Sequence, residues 1–130
     1  MQRNKIISFK DLEVYTNSYK AMIVVMKEIL PNLPELERYD LLSQTSRASK
    51  AIPRLIAEGY AKRHQKAGFQ KYLDDAMAEC NEMVVNLEQC RDIYNIKVDL
   101  IKDLIIVYDK TGRQLYKLAM AWSRFKRLKT

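Results

Sequence analysis

The sequence has 130 residues and a mass of 15.3 kDa, with 48% hydrophobic and 30% charged residues. A chain of this length forms one domain with a sizeable core. Its three glycines and three prolines are too few for the turns of an all-β fold or an alternating βα arrangement, and the apolar fraction argues against disorder. The formal net charge of +7 makes polyanions the first partners to consider.

Neither a membrane span nor an export signal is expected. The longest uninterrupted apolar runs, residues 21–26 and 104–108, are far shorter than the roughly 20 residues that a span needs. Near the N-terminus, acidic residues at 11 and 13 precede any long hydrophobic stretch. We therefore expect a cytoplasmic protein whose two cysteines stay reduced.

Four helices are predicted in chain order. The first covers residues 8–30, with Ser8 as its N-cap, and the second covers residues 35–61. The third covers residues 65–93 and the fourth covers residues 96–127. Prolines at 31 and 34, the glycine-containing segment after the second helix and a short polar joint after the third separate them.

In each predicted helix, the core-facing positions recur every three or four residues, which is typical of packed helices. In the first helix they are Leu12, Tyr15, Tyr19, Met22, Met26 and Ile29, and in the second Leu41, Thr45, Ala48, Ile52, Ile56 and Gly59. In the third they are Phe69, Leu73, Ala76, Cys80, Met83, Leu87, Cys90 and Tyr94. In the fourth they are Ile101, Leu104, Tyr108, Thr111, Leu115, Leu118, Trp122 and Phe125.

Long helices joined by short loops pack antiparallel with their neighbours. The sequence therefore predicts one all-α domain over residues 1–130, an antiparallel up-down-up-down four-helix bundle. A short N-terminal arm over about residues 1–7 and a basic C-terminal tail over about residues 124–130 flank it.

The cysteines and the single histidine do not indicate a metal or redox site. Cys80 and Cys90 are ten residues apart on one helix, a rise of about 15 Å, which is too far for a disulfide. His64 lies among basic residues, and we interpret it as solvated or in contact with a polyanion. Zinc sites need three or four nitrogen or sulfur ligands, and di-iron bundles use Glu-x-x-His pairs that this chain lacks. No cofactor, metal or catalytic residue is expected.

The basic residues are concentrated in two blocks. Residues 1–43 are balanced, whereas residues 44–71 contain seven basic residues and one acidic residue. Residues 72–109 contain three basic and nine acidic residues, and residues 110–130 contain seven basic residues and none that is acidic. In an antiparallel bundle, the end of the second helix, the start of the third and the end of the fourth meet. We therefore predict a basic pole formed by Lys62, Arg63, Lys66, Arg124, Lys126 and Arg127.

Such a concentration of cations is typical of proteins that bind the phosphate backbone of nucleic acids. A solubilising surface with a basic tail is the alternative interpretation. Tyr60 and Trp122 are interleaved with the basic residues and could stack on bases, although Trp122 also occupies a core-facing position.

One face of the third helix is acidic. Asp75, Glu79 and Glu82 are spaced by four and three residues, so their like charges repel and require a cationic neighbour. We expect Arg113 and Lys117 of the fourth helix, in the same chain or another copy, to supply it. A carboxylate metal site is the alternative.

The first and fourth helices also carry apolar residues outside the predicted core-facing positions. A single bundle core cannot bury residues on every side of a helix, so we expect a second interface. The residues concerned are Ile23, Val24, Val25, Ile105, Ile106 and Val107.

The second helix contains the segment Ile-Pro-Arg-Leu-Ile-Ala-Glu-Gly-Tyr over residues 52–60. Pro53 removes a backbone N–H inside the helix and bends its axis. Gly59 permits either a left-handed cap or a close backbone contact. Arg54 and Glu58 have the spacing of an i,i+4 ion pair.

This segment belongs to a pattern that covers nearly the whole chain. Its other parts are residues 9–15 (FKDLEVY), residues 42–44 (LSQ) followed by Arg47, Phe69 with Tyr72 and Leu73, and Gly112 and Arg113 with Leu115, Leu118 and Trp122. The pattern resembles the four-helix-bundle proteins encoded in intervening sequences of bacterial 23S ribosomal RNA genes. It is also similar to the related accessory variability proteins of diversity-generating retroelements.

The resemblance implies a homo-oligomeric bundle, typically a five-membered ring, with no catalytic activity assigned. In the accessory variability branch it implies binding of nucleic acid and a reverse transcriptase through a basic surface. It also marks Arg47, Pro53, Glu58 and Gly59 as motif residues with a structural role. We therefore expect a non-catalytic accessory protein that binds RNA or DNA as an oligomer. The alternative is a structural bundle whose charges serve ring assembly or the docking of a protein partner.

Overall fold

The computed structural model describes residues 5–65 and 67–129, with side chains as far as Ser123. The described chain contains helices and no strand. Its four principal helices are α1 (Glu13–Val24), α2 (Leu41–Ala61), α3 (Gly68–Tyr94) and α4 (Val98–Lys129). None of the described helices is long and apolar enough to cross a membrane.

Each helix packs against two others, in the cyclic order α1, α2, α3, α4. At one pole Lys97, before α4, binds Glu28, after α1, with 2.6 Å between Nζ and Oε2. At the opposite pole the ring of Phe69, at the start of α3, lies 5.2 Å from that of Trp122, near the end of α4. Neighbouring helices therefore run in opposite directions, which confirms the predicted all-α four-helix bundle.

The predicted core-facing positions of α2, α3 and α4 lie inward. All six positions predicted for α2 are buried, as are those of α3 from Phe69 to Cys90 and those of α4 from Ile101 to Leu115. Tyr94, Leu118 and Trp122, nearer the helix ends, are partly buried. The regular spacing identified these faces because each of these helices has one apolar side and one polar side.

The predicted core-facing positions of the first helix are confirmed at its two ends, where Leu12 and Ile29 are buried, but the middle of α1 presents a different face. Val14, Ser18 and Ala21 are buried, whereas Tyr19, predicted to face the core, is 46% exposed. Because residues 21–26 are apolar at every position, their spacing alone does not select a face. The small side chains at 18 and 21 allow close packing, and the Ser18 hydroxyl donates a hydrogen bond to the Tyr15 carbonyl at 3.1 Å, so its burial is compensated.

A π-helical turn, Val25–Ile29, continues α1 and turns further apolar residues inward. Both Val25 and Ile29 are fully buried. The prediction that Val25 lies outside the core is therefore wrong. Ile23 and Ile106, from the same predicted set, are exposed, while Val24, Ile105 and Val107 are partly buried.

The first cap belongs to a short 3-10 turn, Phe9–Asp11, that precedes α1. The Ser8 hydroxyl accepts a hydrogen bond from the Lys10 N–H at 3.2 Å, and the Asp11 carboxylate accepts one from the Ser8 N–H at 3.0 Å. This reciprocal arrangement satisfies donors that would otherwise be free. Ser8 is thus a cap, as predicted, but of the turn before α1.

The second helix begins later than predicted, at Leu41 instead of residue 35. Residues Glu35–Glu37 form a separate 3-10 turn. The Glu37 carboxylate accepts a hydrogen bond from the Leu41 N–H at 3.3 Å, so this side chain satisfies a donor in the first turn of α2. Tyr94 Oη donates a second hydrogen bond to the same carboxylate and links the end of α3 to this turn.

Candidate functional site

The end of α2, the start of α3 and the end of α4 meet at one end of the bundle, which we call the basic pole. Three aromatic rings hold these helix ends together. The ring of Phe69 lies edge-on to that of Trp122, and the ring of Tyr60 lies edge-on to that of Phe69 at 6.2 Å between centroids. Trp122 and Tyr60 thus contribute to packing at this pole, and each remains partly exposed.

Lys62 and Arg63, which follow α2, are both anchored by tyrosines at the basic pole. Lys62 Nζ donates a hydrogen bond to Tyr72 Oη at 2.9 Å, which raises the pKa of Lys62 above its ordinary value. The Arg63 guanidinium lies 3.9 Å from the ring centroid of Tyr60 and donates a hydrogen bond to the Tyr60 carbonyl at 2.7 Å. These cation–π contacts and hydrogen bonds hold two positive charges at defined positions.

The other four predicted residues of this site, Lys66 and the side chains of Arg124, Lys126 and Arg127, lie outside the described residues. The backbone of α4 is helical as far as Lys129, so positions 124–127 belong to its last turns. This helical segment covers most of what was predicted as a C-terminal tail.

Arg47 of α2 pairs with two of the three carboxylates on the acidic face of α3. Arg47 Nη1 lies 3.1 Å from Glu79 Oε2, and Arg47 Nη2 lies 2.5 Å from Glu82 Oε2. Partial burial raises the pKa of Glu79, while the positive charge of Arg47 acts in the opposite direction. One guanidinium therefore joins two helices through two carboxylates.

The prediction that α4 supplies this cation within the chain is wrong. Arg113 instead pairs with Asp109 on its own helix at 3.0 Å, and Lys117 is exposed. The spacing of the acidic residues on α3 predicts a cationic neighbour. It does not indicate which helix supplies the cation, because α2 and α4 both flank α3. Within the described part of the chain, no group of three histidine, cysteine or acidic residues could hold a metal ion.

Gly59 is required for the close approach of α2 to α3. A Cβ at this position would lie 2.6 Å from Tyr72 Cβ and 3.1 Å from a ring carbon of Phe69. None of the described glycines has a positive φ, so the close contact, and not a left-handed cap, accounts for this residue. Pro53 is buried within α2, and Glu58 is exposed. Among the described residues, Glu58 forms no ion pair with Arg54.

Both cysteines are buried, free thiols. Burial raises the pKa of Cys80 to about 12 and that of Cys90 to about 11. At neutral pH both are therefore protonated side chains of the core, as the spacing predicted. His64 is exposed near the basic pole.

A further group of polar and aromatic side chains was not predicted as a site. They line a groove between the N-terminal part of the chain and α2, which we call the α1–α2 groove. Its lining residues are Phe9, Tyr15, Tyr19, Met22, Lys50, Pro53, Arg54 and Ala57. The sequence indicates this group only through two i,i+4 pairs, Tyr15 with Tyr19 and Lys50 with Arg54, and the same spacing predicts that both tyrosines face the core.

Most of the chain matches the sequence model of a known protein family. Residues 10–117 match the sequence model of a family described as 23S rRNA-intervening sequence protein. The match covers α1, α2, α3 and most of α4, including the motif residues Arg47, Pro53, Glu58 and Gly59. Among curated proteins, no match is found. The family match extends over most of the chain, and the chain accordingly belongs to the 23S rRNA-intervening sequence protein family.

Proposed function

We propose that this protein is a non-catalytic, cytoplasmic accessory protein that binds the phosphate backbone of RNA or DNA as a homo-oligomer. The observation that supports this function is the pair of anchored cations at the basic pole. Lys62 and Arg63 are fixed by Tyr72 and Tyr60, so little side-chain freedom is lost when a phosphate binds between or beside them. Arg124, Lys126 and Arg127 add positive charge on the last turns of α4.

Exposed apolar side chains support the oligomeric part of the proposal. Ile106 and Tyr116 of α4 are 56% and 57% exposed, and Val85 of α3 is also exposed. Burying such residues against another copy removes apolar surface from water. By resemblance to its family, we propose a homopentameric ring.

The same exposed apolar residues favour a second candidate function, a protein-interaction bundle that docks a partner such as a reverse transcriptase. In this case the basic pole would contact acidic groups of the partner. Charge-driven assembly between copies would use what Arg47 leaves of the acidic face of α3, because its single positive charge contacts Glu79 and Glu82 and no described residue forms an ion pair with Asp75.

Fluorescence anisotropy with single-stranded RNA and DNA of one sequence tests the leading proposal. We expect binding that weakens steeply between about 50 and 200 mM salt because bound phosphates release counterions. The double variant Arg124→Glu/Arg127→Glu should weaken binding to all sequences alike and lower the slope of log K against log salt by about two. Lys102→Glu, at an exposed position near the opposite end of α4, is the matched control.

Sizing chromatography of the same variants separates the two candidates. Loss of nucleic-acid binding with an unchanged oligomer size supports the leading proposal. A double variant that binds nucleic acid as the wild type does, with the same salt slope, would contradict it. A double variant that dissociates to monomers would show that the basic residues serve assembly.

A further inference from the structure

The aromatic side chains of the α1–α2 groove form a short row that reaches the surface. The rings of Tyr15 and Tyr19 lie 5.8 Å apart at an interplanar angle of 33°, and Phe9 packs edge-on against Tyr15 at 4.9 Å. Tyr19, at the outer end of this row, is 46% exposed. Its ring therefore offers an aromatic face beside the groove that another planar ring can reach.

The opposite wall of the groove carries two positive charges without a counter-ion in the described chain. Lys50 and Arg54 are exposed and one helical turn apart on α2. Neither forms an ion pair with any described carboxylate, in contrast to Arg47 on the same helix. Lys50 and Arg54 therefore have no ion-pair partner among the described residues, although Arg54 also borders a second pocket lined by Glu58, Asp75 and Glu79.

The acidic residues near the start of α1 have other partners. The Asp11 carboxylate accepts hydrogen bonds from the N–H groups of Ile7 and Ser8, at 2.8 and 3.0 Å. Glu13 turns to α4, where Gln114 donates a hydrogen bond to it at 3.3 Å. Asp11 and Glu13 therefore make their contacts with groups other than Lys50 and Arg54.

We propose that the α1–α2 groove binds single-stranded nucleic acid, with an unpaired base stacked on Tyr19 and adjacent phosphates bound by Lys50 and Arg54. This inference rests on the proposed function, to which it adds the strandedness of the ligand and a second contact region. Aromatic stacking requires a base outside a duplex stack, so the groove selects single strands, loops or ends. The combination of exposed aromatic ring and free cations is what such ligands require.

The groove and the basic pole are close enough to contact one strand. Arg54 and Lys62 are eight residues apart along α2, which corresponds to about 12 Å of helix rise. A single strand whose phosphates bind Lys62 and Arg63 can reach Arg54 and Lys50 by spanning this rise and crossing α2 from its α3 side, where Lys62 contacts Tyr72, to its α1 side, where the groove lies. The basic pole then supplies charge, and the groove supplies base contacts.

Two probes separate base stacking from phosphate binding: a single-stranded oligouridylate of about 20 nucleotides and an abasic sugar-phosphate oligomer of the same length. The variant Tyr19→Leu removes the ring but keeps an apolar side chain, whereas Tyr19→Phe keeps the ring. We expect Tyr19→Leu to bind the oligouridylate about tenfold more weakly and the abasic oligomer unchanged. Tyr19→Phe should bind both as the wild type does, and Tyr39→Leu, at an exposed tyrosine before α2, is the matched control.

The cations are tested with the same probes. The double variant Lys50→Gln/Arg54→Gln should weaken binding of both probes and lower the salt slope by about two. Lys102→Gln, at an exposed position on α4, should change neither. Thermal unfolding of each variant, compared with the wild type, shows whether the fold is retained.

Three results would overturn the inference. If Tyr19→Leu weakens both probes equally, or no more than Tyr39→Leu does, the base does not stack in this groove, although the proposed function stands. If Tyr19→Leu reduces the oligomer size in sizing chromatography, a second copy occupies the groove. If the wild-type protein binds neither probe, the proposed function itself fails and this inference fails with it.

Discussion

Gly59 of α2 packs directly against Tyr72 of α3, so closely that a Cβ at position 59 would lie 2.6 Å from Tyr72 Cβ. Tyr72 Cβ is fixed to the helix backbone and cannot move aside without moving α3. The same tyrosine accepts the hydrogen bond from Lys62. This single helix contact therefore sets both the packing of α2 on α3 and the position of a cation at the basic pole.

We predict that Gly59→Ala destabilises the protein, because α2 and α3 must separate to admit the methyl group. The expected loss in the free energy of unfolding is about 1–3 kcal/mol. Gly112→Ala is the matched control: its Cβ would meet Cys80 Cβ at an ordinary 3.7 Å, and alanine in a helix interior gains roughly 0.5–1 kcal/mol over glycine. Urea unfolding of both variants measures the difference, and equal effects would contradict the assigned contact.

Arg47→Leu should destabilise the bundle by about 1 kcal/mol at low salt, because Glu79 and Glu82 then repel without a cation between them. Partial burial raises the pKa of Glu79 above its ordinary value of 4.5, so the contribution of Arg47 to this carboxylate is present at neutral pH and decreases as pH falls through that raised value. Urea unfolding of wild type and variant at neutral and acidic pH measures this change. Arg113→Leu, which breaks an exposed ion pair with Asp109, should lower the free energy of unfolding by less than Arg47→Leu does. A pH-independent difference for Arg47→Leu would argue against the assigned role.

Tyr94→Phe should lower the free energy of unfolding, because the buried Glu37 carboxylate loses a hydrogen bond. The hydrogen bond to Glu37 raises the pKa of Tyr94 to about 12 from an ordinary value of 10.0. A raised pKa in the folded state means that the stabilisation is complete below pH 10.0 and is lost as pH rises through about 12. Unfolding measured across this range should show the wild type losing stability more steeply than Tyr94→Phe. Parallel curves would contradict the link between α3 and the turn before α2.

Cys80 and Cys90 should resist labelling in the folded protein. Their pKa values of about 12 and about 11 leave almost no thiolate at pH 8, and burial excludes the reagent. We expect an aromatic disulfide reagent to label both thiols at a rate set by unfolding, and to label them rapidly in urea. Immediate labelling of either thiol under native conditions would show that the core is more open than the structure indicates.

The regular spacing of apolar residues was sufficient to locate the inward faces of α2, α3 and α4. For the first helix it located Leu12 and Ile29 correctly but not the middle of α1, where continuous apolar residues at 21–26 give no contrast between faces. There the small residues Ser18 and Ala21 face the core, and Tyr19 lies outside. The side of α1 with small residues faces the core because it lets the neighbouring helices pack closely against α1. The spacing of apolar residues carries no information about this close packing.

The candidate site was predictable to a similar extent. The charge blocks and the antiparallel order correctly brought the end of α2 to the end of α4. The acidic face of α3 correctly required a cation, but the source was Arg47 and not Arg113 or Lys117. The acidic residues of a sequence indicate that a cationic side chain must lie nearby. The distance between two helices decides which cationic side chain reaches the carboxylates.

The sequence by itself determined the helical class, the number of helices, their antiparallel order and the family, because these depend on local periodicity, breaks and motif residues. Only the tertiary structure decided that Arg47 joins two carboxylates, that Gly59 serves a close contact, and that Lys50 and Arg54 line a groove beside Tyr19. These features depend on the rotation and separation of neighbouring helices. Residues far apart in the chain set that rotation and separation jointly, so no single segment encodes them.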